Sequence, residues 1–338
     1  MTALPRTMKA VEIAEPGGPE VLRLVERPLP VPGIGEVLIE VAAAGINRPD
    51  VFQRKGHYPP PPGASDLPGL EVAGRIVAMG PTGELAASGG GYGIGDEVCA
   101  LLAGGGYAQY ATVPAAQCLR IPRGLDAIQA AGLPENFLTV WANIFQLAEF
   151  RPGDWLLVHG GTSGIGVTTI QLASTLGGRV IATAGGAEKV RTCEALGAVR
   201  GIDYHQEDFV AAVNEVTGGL GADIILDMVG GPYVARNMKA AALDGRLVSI
   251  AFLQGSKVEL DLTAVMRKRL RLTGSTLRNR PVAEKAAIAR EVEKRAWPLL
   301  ERGEVKPIVY RTFPLADAAE AHRLMETSSH IGKIILTM

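Results

Sequence analysis

The apolar positions of the chain change period near residue 133. Before that point, short alternating runs punctuated by Gly and Pro predict strands over residues 8–13, 36–41, 71–78, 96–100 and 108–113. Many short strands with turn signals between them point to a partly open β-barrel. Two segments interrupt this texture: Tyr58-Pro59-Pro60-Pro61-Pro62-Gly63 reads as stiff and polyproline-like, and Ser88-Gly89-Gly90-Gly91 as a flexible surface loop. Residues 1–7 read as a loose extension.

Beyond residue 133 the pattern alternates strand and helix. Strands are predicted over 155–159, 179–183, 201–204, 222–227, 246–250 and 270–274, with helices over 167–176, 188–196 and 209–217. This rhythm marks a doubly wound parallel sheet with crossover helices. A long amphipathic helix over 282–302, a shorter one over 315–327 and a last strand over 332–336 follow, the strand returning to the first domain. The chain thus reads as an α/β protein of two domains, residues 1–132 with 276–338 and residues 133–275.

Composition narrows the class. Of 338 residues, 47% are hydrophobic and 20% charged, the balance of a globular enzyme, and a net charge of −1 exerts no general pull on nucleic acid or anionic membrane. One basic run, Arg267-Lys268-Arg269-Leu270-Arg271, has no aromatic platform beside it and reads as a solvated stretch leading into a strand. Cys99, Cys118 and Cys193 form no C-x-x-C pair, which argues against a disulfide framework and fits a reducing compartment. With no secretory signal and no apolar stretch long enough for a membrane helix, the expectation is a cytoplasmic protein.

The chemistry centres on His159-Gly160-Gly161-Thr162-Ser163-Gly164-Ile165-Gly166, between an apolar strand and an apolar helix. In that context a glycine-rich turn lets the backbone approach a pyrophosphate, and the helix start directs N–H groups at the anion. Ser163 stands where the middle glycine of G-x-G-x-x-G would be; it is small enough for the approach, and its hydroxyl is a candidate to face nicotinamide or substrate. The second strand ends Ala184-Gly185-Gly186 with no carboxylate for a ribose 2′-hydroxyl, and Lys189 and Arg191 follow, so NADPH is favoured over NADH. Glu188 is the one residue here that argues for the ribose. His322, on an apolar helix face, reads as a satisfied core histidine.

The residues resemble the medium-chain dehydrogenase/reductase superfamily in its quinone oxidoreductase (zeta-crystallin-like) branch, and within it the tumour-suppressor-inducible subgroup. The likeness lies in Gly45-Ile46-Asn47-Arg48-Pro49-Asp50, Pro59 to Ser65, Gly69-Leu70-Glu71-Val72-Ala73-Gly74, Gly104-Gly105-Gly106-Tyr107-Ala108-Gln109-Tyr110, the glycine turn, Asp203-Tyr204 before Glu207-Asp208, and Ala321-His322 through Gly332-Lys333. It implies a GroES-like barrel formed by both chain ends, a Rossmann domain, and an active cleft between them. It implies NADPH-dependent hydride transfer to a quinone or enone substrate in a homodimer or tetramer; the charge balance and apolar pattern above give no expectation of a membrane or nucleic-acid partner.

Residue by residue, the resemblance places Tyr58 and Asn47 in the substrate and nicotinamide pocket, with Ser163 as the serine of the turn. It assigns Lys189 to the 2′-phosphate and Tyr204 to the adenosine end. Phe252, Ser275, Thr276 and Leu277 would wall the nicotinamide, and Thr139, Gly161, Thr162, Gly164, Ile165, Gly166, Gly185 and Gly186 would complete the cofactor site. Zinc-dependent relatives carry a cysteine at the place of Asn47 and a histidine at that of Leu70, so no zinc is expected. Tyr58 would donate to the acceptor oxygen, assisted by Ser163 or Asn47. The plain alternatives are a wall residue for Tyr58 and a turn-fixing role for Asn47. An enoyl or alkenal reductase, or a non-catalytic NADPH-binding protein with a redox-sensing or RNA-binding role, would share these features.

Overall fold

The computed structural model describes residues 4–81 and 91–338. Residues 1–3 of the expected extension and Ser88, Gly89 and Gly90 of the expected glycine loop lie outside the described residues. The chain divides into two compact units. Unit 1 comprises Met1–Leu138, Leu277–Arg302 and Pro307–Met338; unit 2 comprises Thr139–Thr276 and Gly303–Lys306.

Unit 1 opens with the antiparallel pair β1 (Thr7–Ile13) and β2 (Leu22–Pro28). The strands β3 (Glu36–Gly45), β4 (Glu71–Met79), β5 (Glu97–Leu101), β6 (Tyr110–Pro114) and β7 (Cys118–Arg120) follow. Helix α1 (Arg48–Arg54) leaves directly from the end of β3, and the short α2 (Ala127–Ala130) and α3 (Pro134–Val140) end this part of the chain. On β3, Val37, Ile39 and Val41 sit in one core cluster with Val72 and Ile76 of β4 and Val98 of β5.

Unit 2 begins with a π-helical stretch, Trp141–Leu147. Strand β8 (Trp155–Val158), helix α4 (Gly164–Thr175), β9 (Arg179–Ala184), α5 (Ala187–Ala195), β10 (Arg200–Asp203) and α6 (Phe209–Val216) alternate after it. Then come β11 (Ala222–Asp227), α7 (Tyr233–Ala240), β12 (Ala241–Ser249), α8 (Thr263–Lys268) and β13 (Arg271–Gly274). The strands form one parallel sheet in the order β10-β9-β8-β11-β12-β13. That order reverses beside β8, which is the doubly wound Rossmann arrangement with its switch point at the glycine turn.

The chain re-enters unit 1 through α9 (Val282–Arg295) and α10 (Trp297–Glu301), and closes with β14 (Val309–Pro314), α11 (Ala318–Thr327) and β15 (Lys333–Thr337). Strand β15 pairs with Ala43–Gly45 of β3, and β6 takes the same edge of β3 lower down, at 36–40. Sharing one strand edge between two partners curls the seven-stranded sheet as in a GroES-like barrel.

Two expectations change. The helix predicted over 282–302 is two helices, because Pro298 has no N–H to continue the ladder and sits in the first turn of α10. The predicted 315–327 helix begins as a 3-10 turn, with α11 starting at Ala318. The basic run closes α8 and leads into β13, as the sequence suggests, with Arg267, Arg269 and Arg271 exposed and Arg269 (φ 51°) making the turn. Three of its four charges are engaged locally. Lys268 Nζ donates to the carbonyls of Met238, Lys239 and Ala241, Arg269 pairs with Asp244, and Arg271 pairs with Glu149.

Candidate functional site

In unit 2 the glycine turn is built by exclusion of side-chain volume. Gly160 has φ of +69°, a left-handed conformation that favours glycine. A Cβ on Gly161 would lie 2.7 Å from Cys193 Sγ and 2.8 Å from Ala182 Cβ; one on Gly166 would lie 2.3 Å from the Gly160 carbonyl oxygen. Thr162 is buried, and Gly164 and Ile165 open α4. Ser163 is the N-cap of α4: its Oγ accepts from the Gly166 N–H at 3.0 Å, and its hydroxyl faces Met228 Sδ at 3.8 Å. The remaining N–H groups of that first turn have no acceptor within the helix.

Behind the turn runs a buried polar chain. His159 Nδ1 meets Thr183 Oγ1 at 3.0 Å and Nε2 meets Asn237 Oδ1 at 2.8 Å; Asn237 Nδ2 donates to Asp227 at 3.1 Å. Asp227 also takes the N–H groups of Val229 and Gly230. Burial lowers the His159 pKa, so the ring is neutral and pins strands β8, β9 and β11 with α7.

At the end of β9, Gly186 (φ +91°) N-caps α5, and its N–H is held by Asp203 Oδ1 at 3.1 Å. The backbone donors of Gly186 and His205 hold the Asp203 carboxyl below its usual range. Lys189 lies in the first turn of α5, and burial lowers the pKa of its ammonium. Tyr204 is 44% exposed, and its ring lies against His205. Phe252 is 49% exposed, and Ser275 Oγ donates to Asn143 Oδ1 at 2.8 Å at the Thr276 end of the unit. Thr139 Oγ1 is buried without a hydrogen-bond partner among the described residues. An orphaned hydroxyl, a glycine turn emptied of Cβ atoms and an open helix start fit a dinucleotide with its pyrophosphate at α4.

Unit 1 holds the other predicted residues, with Leu277 buried among them. Asn47 N-caps α1 in a capping box with Asp50. Its carboxamide is occupied: Oδ1 accepts from Lys333 Nζ at 2.7 Å and Nδ2 donates to Glu71 Oε1 at 2.9 Å. Lys333 also pairs with Glu71 at 2.6 Å and donates to the Ile46 carbonyl at 3.0 Å. Glu71 is fully buried, and its second oxygen accepts the backbone N–H of Glu135 at 2.9 Å. A Cβ on Gly45 would sit 2.2 Å from Glu71 Oε1, which accounts for the glycine before Ile46-Asn47.

Tyr58 is partly buried, and its ring covers the Arg278 guanidinium, 5.2 Å from carbon to ring centre. Arg278 donates to the carbonyls of Tyr58 and Ala103 and to Gln53 Oε1. Among the described residues the Tyr58 hydroxyl makes no hydrogen bond. Burial, and secondarily the Glu135 carboxyl, push the Tyr58 pKa up, so it remains a proton-bearing donor at neutral pH.

Next to this lies a directional relay. Arg54 donates to His322 Nδ1 at 3.2 Å, His322 Nε2 lies 3.0 Å from Tyr107 Oη, and Tyr107 donates to Asp50 at 3.2 Å. Burial drops His322 to about 3, so it stays neutral in the core position its helix face predicts. The ion pair Glu71–Lys333, the Arg278 shelf and the Glu135 carboxyl were not found from sequence: no short motif links positions that far apart. Among the described residues, no three His, Cys, Asp or Glu side chains gather as a metal-holding group, and no helix is long and apolar enough to cross a membrane.

Two family descriptions match the chain: an alcohol dehydrogenase GroES-like domain over residues 33–123 and a zinc-binding dehydrogenase over 196–336. Rattus norvegicus quinone oxidoreductase is 30% identical, with 98% of each chain covered. The crystal structure of Escherichia coli quinone oxidoreductase complexed with NADPH superposes with a TM-score of 0.86 at 28% identity, covering 98% of this chain and 100% of that one. A structure described as an NAD-dependent alcohol dehydrogenase has a TM-score of 0.84 at 33% identity over the same shares. The chain belongs to the medium-chain dehydrogenase/reductase superfamily, in its quinone oxidoreductase (zeta-crystallin-like) branch, and is an oxidoreductase of that family.

Proposed function

We propose that the chain reduces quinones and related α,β-unsaturated carbonyl compounds with NADPH, without zinc. The observation that carries this reading is Tyr58. Its phenol is unclaimed among the described residues, kept protonated by burial, and fixed in orientation by the Arg278 shelf beneath its ring. Such a donor suits an acceptor oxygen that gains negative charge as the substrate is reduced. Bound NADPH supplies the hydride. The residues of unit 2 hold it: the α4 start and glycine turn take the pyrophosphate, Thr139 the nearby polar edge, and Lys189 the 2′-phosphate.

Asn47 stands where zinc-dependent relatives carry a cysteine. Its carboxamide is held between Lys333 and Glu71, so its work is positioning. The basic run lends no support to nucleic-acid binding, because Lys268, Arg269 and Arg271 are engaged within the fold.

The direct test is an acceptor screen with NADPH and NADH side by side, using 1,4-naphthoquinone, cyclohexenone and an enoyl thioester. Activity confined to the thioester would replace this reading with an enoyl reductase. Tyr58→Phe is expected to lower kcat about a hundredfold, the usual loss for one preorganised donor, with KM little changed because the ring stays on Arg278. An unchanged kcat would reduce Tyr58 to a wall. Lys189→Ala is expected to raise KM for NADPH by about ten- to a hundredfold, one charge-assisted contact, and to leave KM for NADH nearly unaltered. Equal losses for both cofactors would remove Lys189 from the 2′-phosphate.

A further inference from the structure

His159 leads from β8 into the glycine turn, yet its ring is wholly enclosed and has no part in the proposed reduction. The direction of each hydrogen bond around it follows from its partners. Asn237 Nδ2 donates to Asp227 Oδ2 at 3.1 Å, so Asn237 presents Oδ1 to the ring, and His159 Nε2 carries the proton donated to it at 2.8 Å. The other ring nitrogen then accepts from the Thr183 hydroxyl at 3.0 Å. Thr183, His159, Asn237 and Asp227 thus form one chain, and every member is buried. Phe209 and Tyr233 pack edge-on against the imidazole at 4.8 and 4.9 Å, which fixes the plane of the ring.

The two ends of this chain belong to different halves of the parallel sheet. A doubly wound sheet carries one part of a dinucleotide on each half, across the crevice where the strand order reverses. Thr183 lies on β9 in the first half, and its carbonyl holds the Gly161 N–H of the turn at 2.8 Å. Asp227 ends β11 in the second half, and its Oδ1 accepts from the Val229 N–H at 2.7 Å and the Gly230 N–H at 3.1 Å. That loop is joined to the one after β12: the Gln254 N–H donates to the Val229 carbonyl at 2.7 Å, and the Gly231 N–H to the Gly255 carbonyl at 2.8 Å. A Cβ on Gly230 would fall 2.7 Å from Phe252 Cδ1, so the residue read as a nicotinamide wall sits directly against this loop.

We propose that the His159–Asn237 hydrogen bond locks the two halves of the NADPH site in register, which makes Asn237 a positioning residue for the nicotinamide. This rests on the NADPH placement proposed above and is independent of which acceptor is reduced. Asn237 acts through Asp227 and the loops that Asp227 holds. With the bond broken, the first half keeps its own ties, since Thr183 still holds His159 Nδ1 and the Gly161 N–H. The second half loses its tie to the turn, and the loss falls on the part of the cofactor beyond the pyrophosphate.

The experiment measures by calorimetry the affinities of NADPH and of 2′-phospho-ADP-ribose, the fragment of it that lacks nicotinamide. Asn237→Leu, similar in size but without polar side-chain atoms, breaks the lock. Asn237→Asp combined with Asp227→Asn exchanges donor and acceptor and restores it. Asn237→Leu should bind the fragment within about threefold of wild type and NADPH about tenfold more weakly, the size of coupling through one shared hydrogen-bond network. Its kcat with 1,4-naphthoquinone at saturating NADPH should fall about tenfold or more, because the nicotinamide is no longer held in place. The exchanged pair should return the ratio of the two affinities to within about threefold of wild type.

A role in folding alone would lower the melting temperature of Asn237→Leu and leave that ratio unaltered. An unaltered ratio, which includes equal losses of both ligands, overturns the proposal, and so does an exchanged pair that folds but keeps the low ratio. If Asn237→Leu does not fold, Asn237→Ser takes its place with the same expectations, its hydroxyl being too short to bridge His159 and Asp227. Wild type that binds neither ligand would remove the NADPH placement and the lock with it. Wild type that binds NADPH but reduces no acceptor would sink the reductase function, and the affinity ratio would still decide the lock.

Discussion

Lys333→Met is expected to destabilise unit 1 by about 3–5 kcal/mol, the cost of leaving a buried carboxylate without its cation. Glu71 would lose its partner at 2.6 Å while remaining fully enclosed, and Asn47 Oδ1 and the Ile46 carbonyl would lose their donor. A buried ion pair need not add much net stability against a well-packed apolar pair, but removing one member alone exposes the whole desolvation cost. Urea titration of the single variants and of the Lys333→Met, Glu71→Gln double variant measures the difference. The double variant should recover more than half of the loss. If both single variants lie within 1 kcal/mol of wild type, the pair does not hold the end of β3 against β15 as described.

The second large effect concerns cofactor binding. Gly166→Val should weaken NADPH binding by more than about a hundredfold, read by quenching of protein fluorescence or by calorimetry. Even the first carbon of the new side chain would lie 2.3 Å from the Gly160 carbonyl oxygen and 2.6 Å from Gly161 Cα. The turn can accept it only by opening, which moves the N–H groups of α4 away from the place where a pyrophosphate sits. Unit 1 should keep its wild-type proteolytic resistance. An affinity within threefold of wild type would show that the close packing of Gly160, Gly161 and Gly166 is dispensable for binding.

The two units were legible in the sequence to different depths. The six parallel strands show as apolar runs bounded by Gly and Pro, since strands buried on both faces need little else. The π-helical stretch Trp141–Leu147 and the short strands β7 and β14 do not, because their apolar content is that of any buried segment and tertiary pairing decides their form. Gly160, Gly161 and Gly166 announced the turn because their spacing between an apolar strand and an apolar helix is itself a local signal, although the volume excluded at Gly161 belongs to Cys193 and Ala182. The polar machinery of unit 1 acts across long separations: Glu71 finds Lys333, and Tyr58 finds Arg278, only once both chain ends join one barrel. Asn47 illustrates the limit, since the same asparagine serves a helix cap, a carboxylate and a lysine together.

The hold of Asp203 on the Gly186 N–H sets a condition on any redesign of cofactor choice. The customary route to an NADH enzyme places an acidic side chain at the end of the second strand. Here a Cβ on Gly185 would fall 2.6 Å from Tyr204 Oη, so a carboxylate cannot be added there without first clearing the tyrosine. One at Gly186 would have to adopt φ of +91° and share the loop with Asp203. On the proposed 2′-phosphate role of Lys189, specificity in this scaffold is to be engineered through that residue, or through paired replacement of Gly185 and Tyr204, while Asp203 is retained for its hold on the backbone.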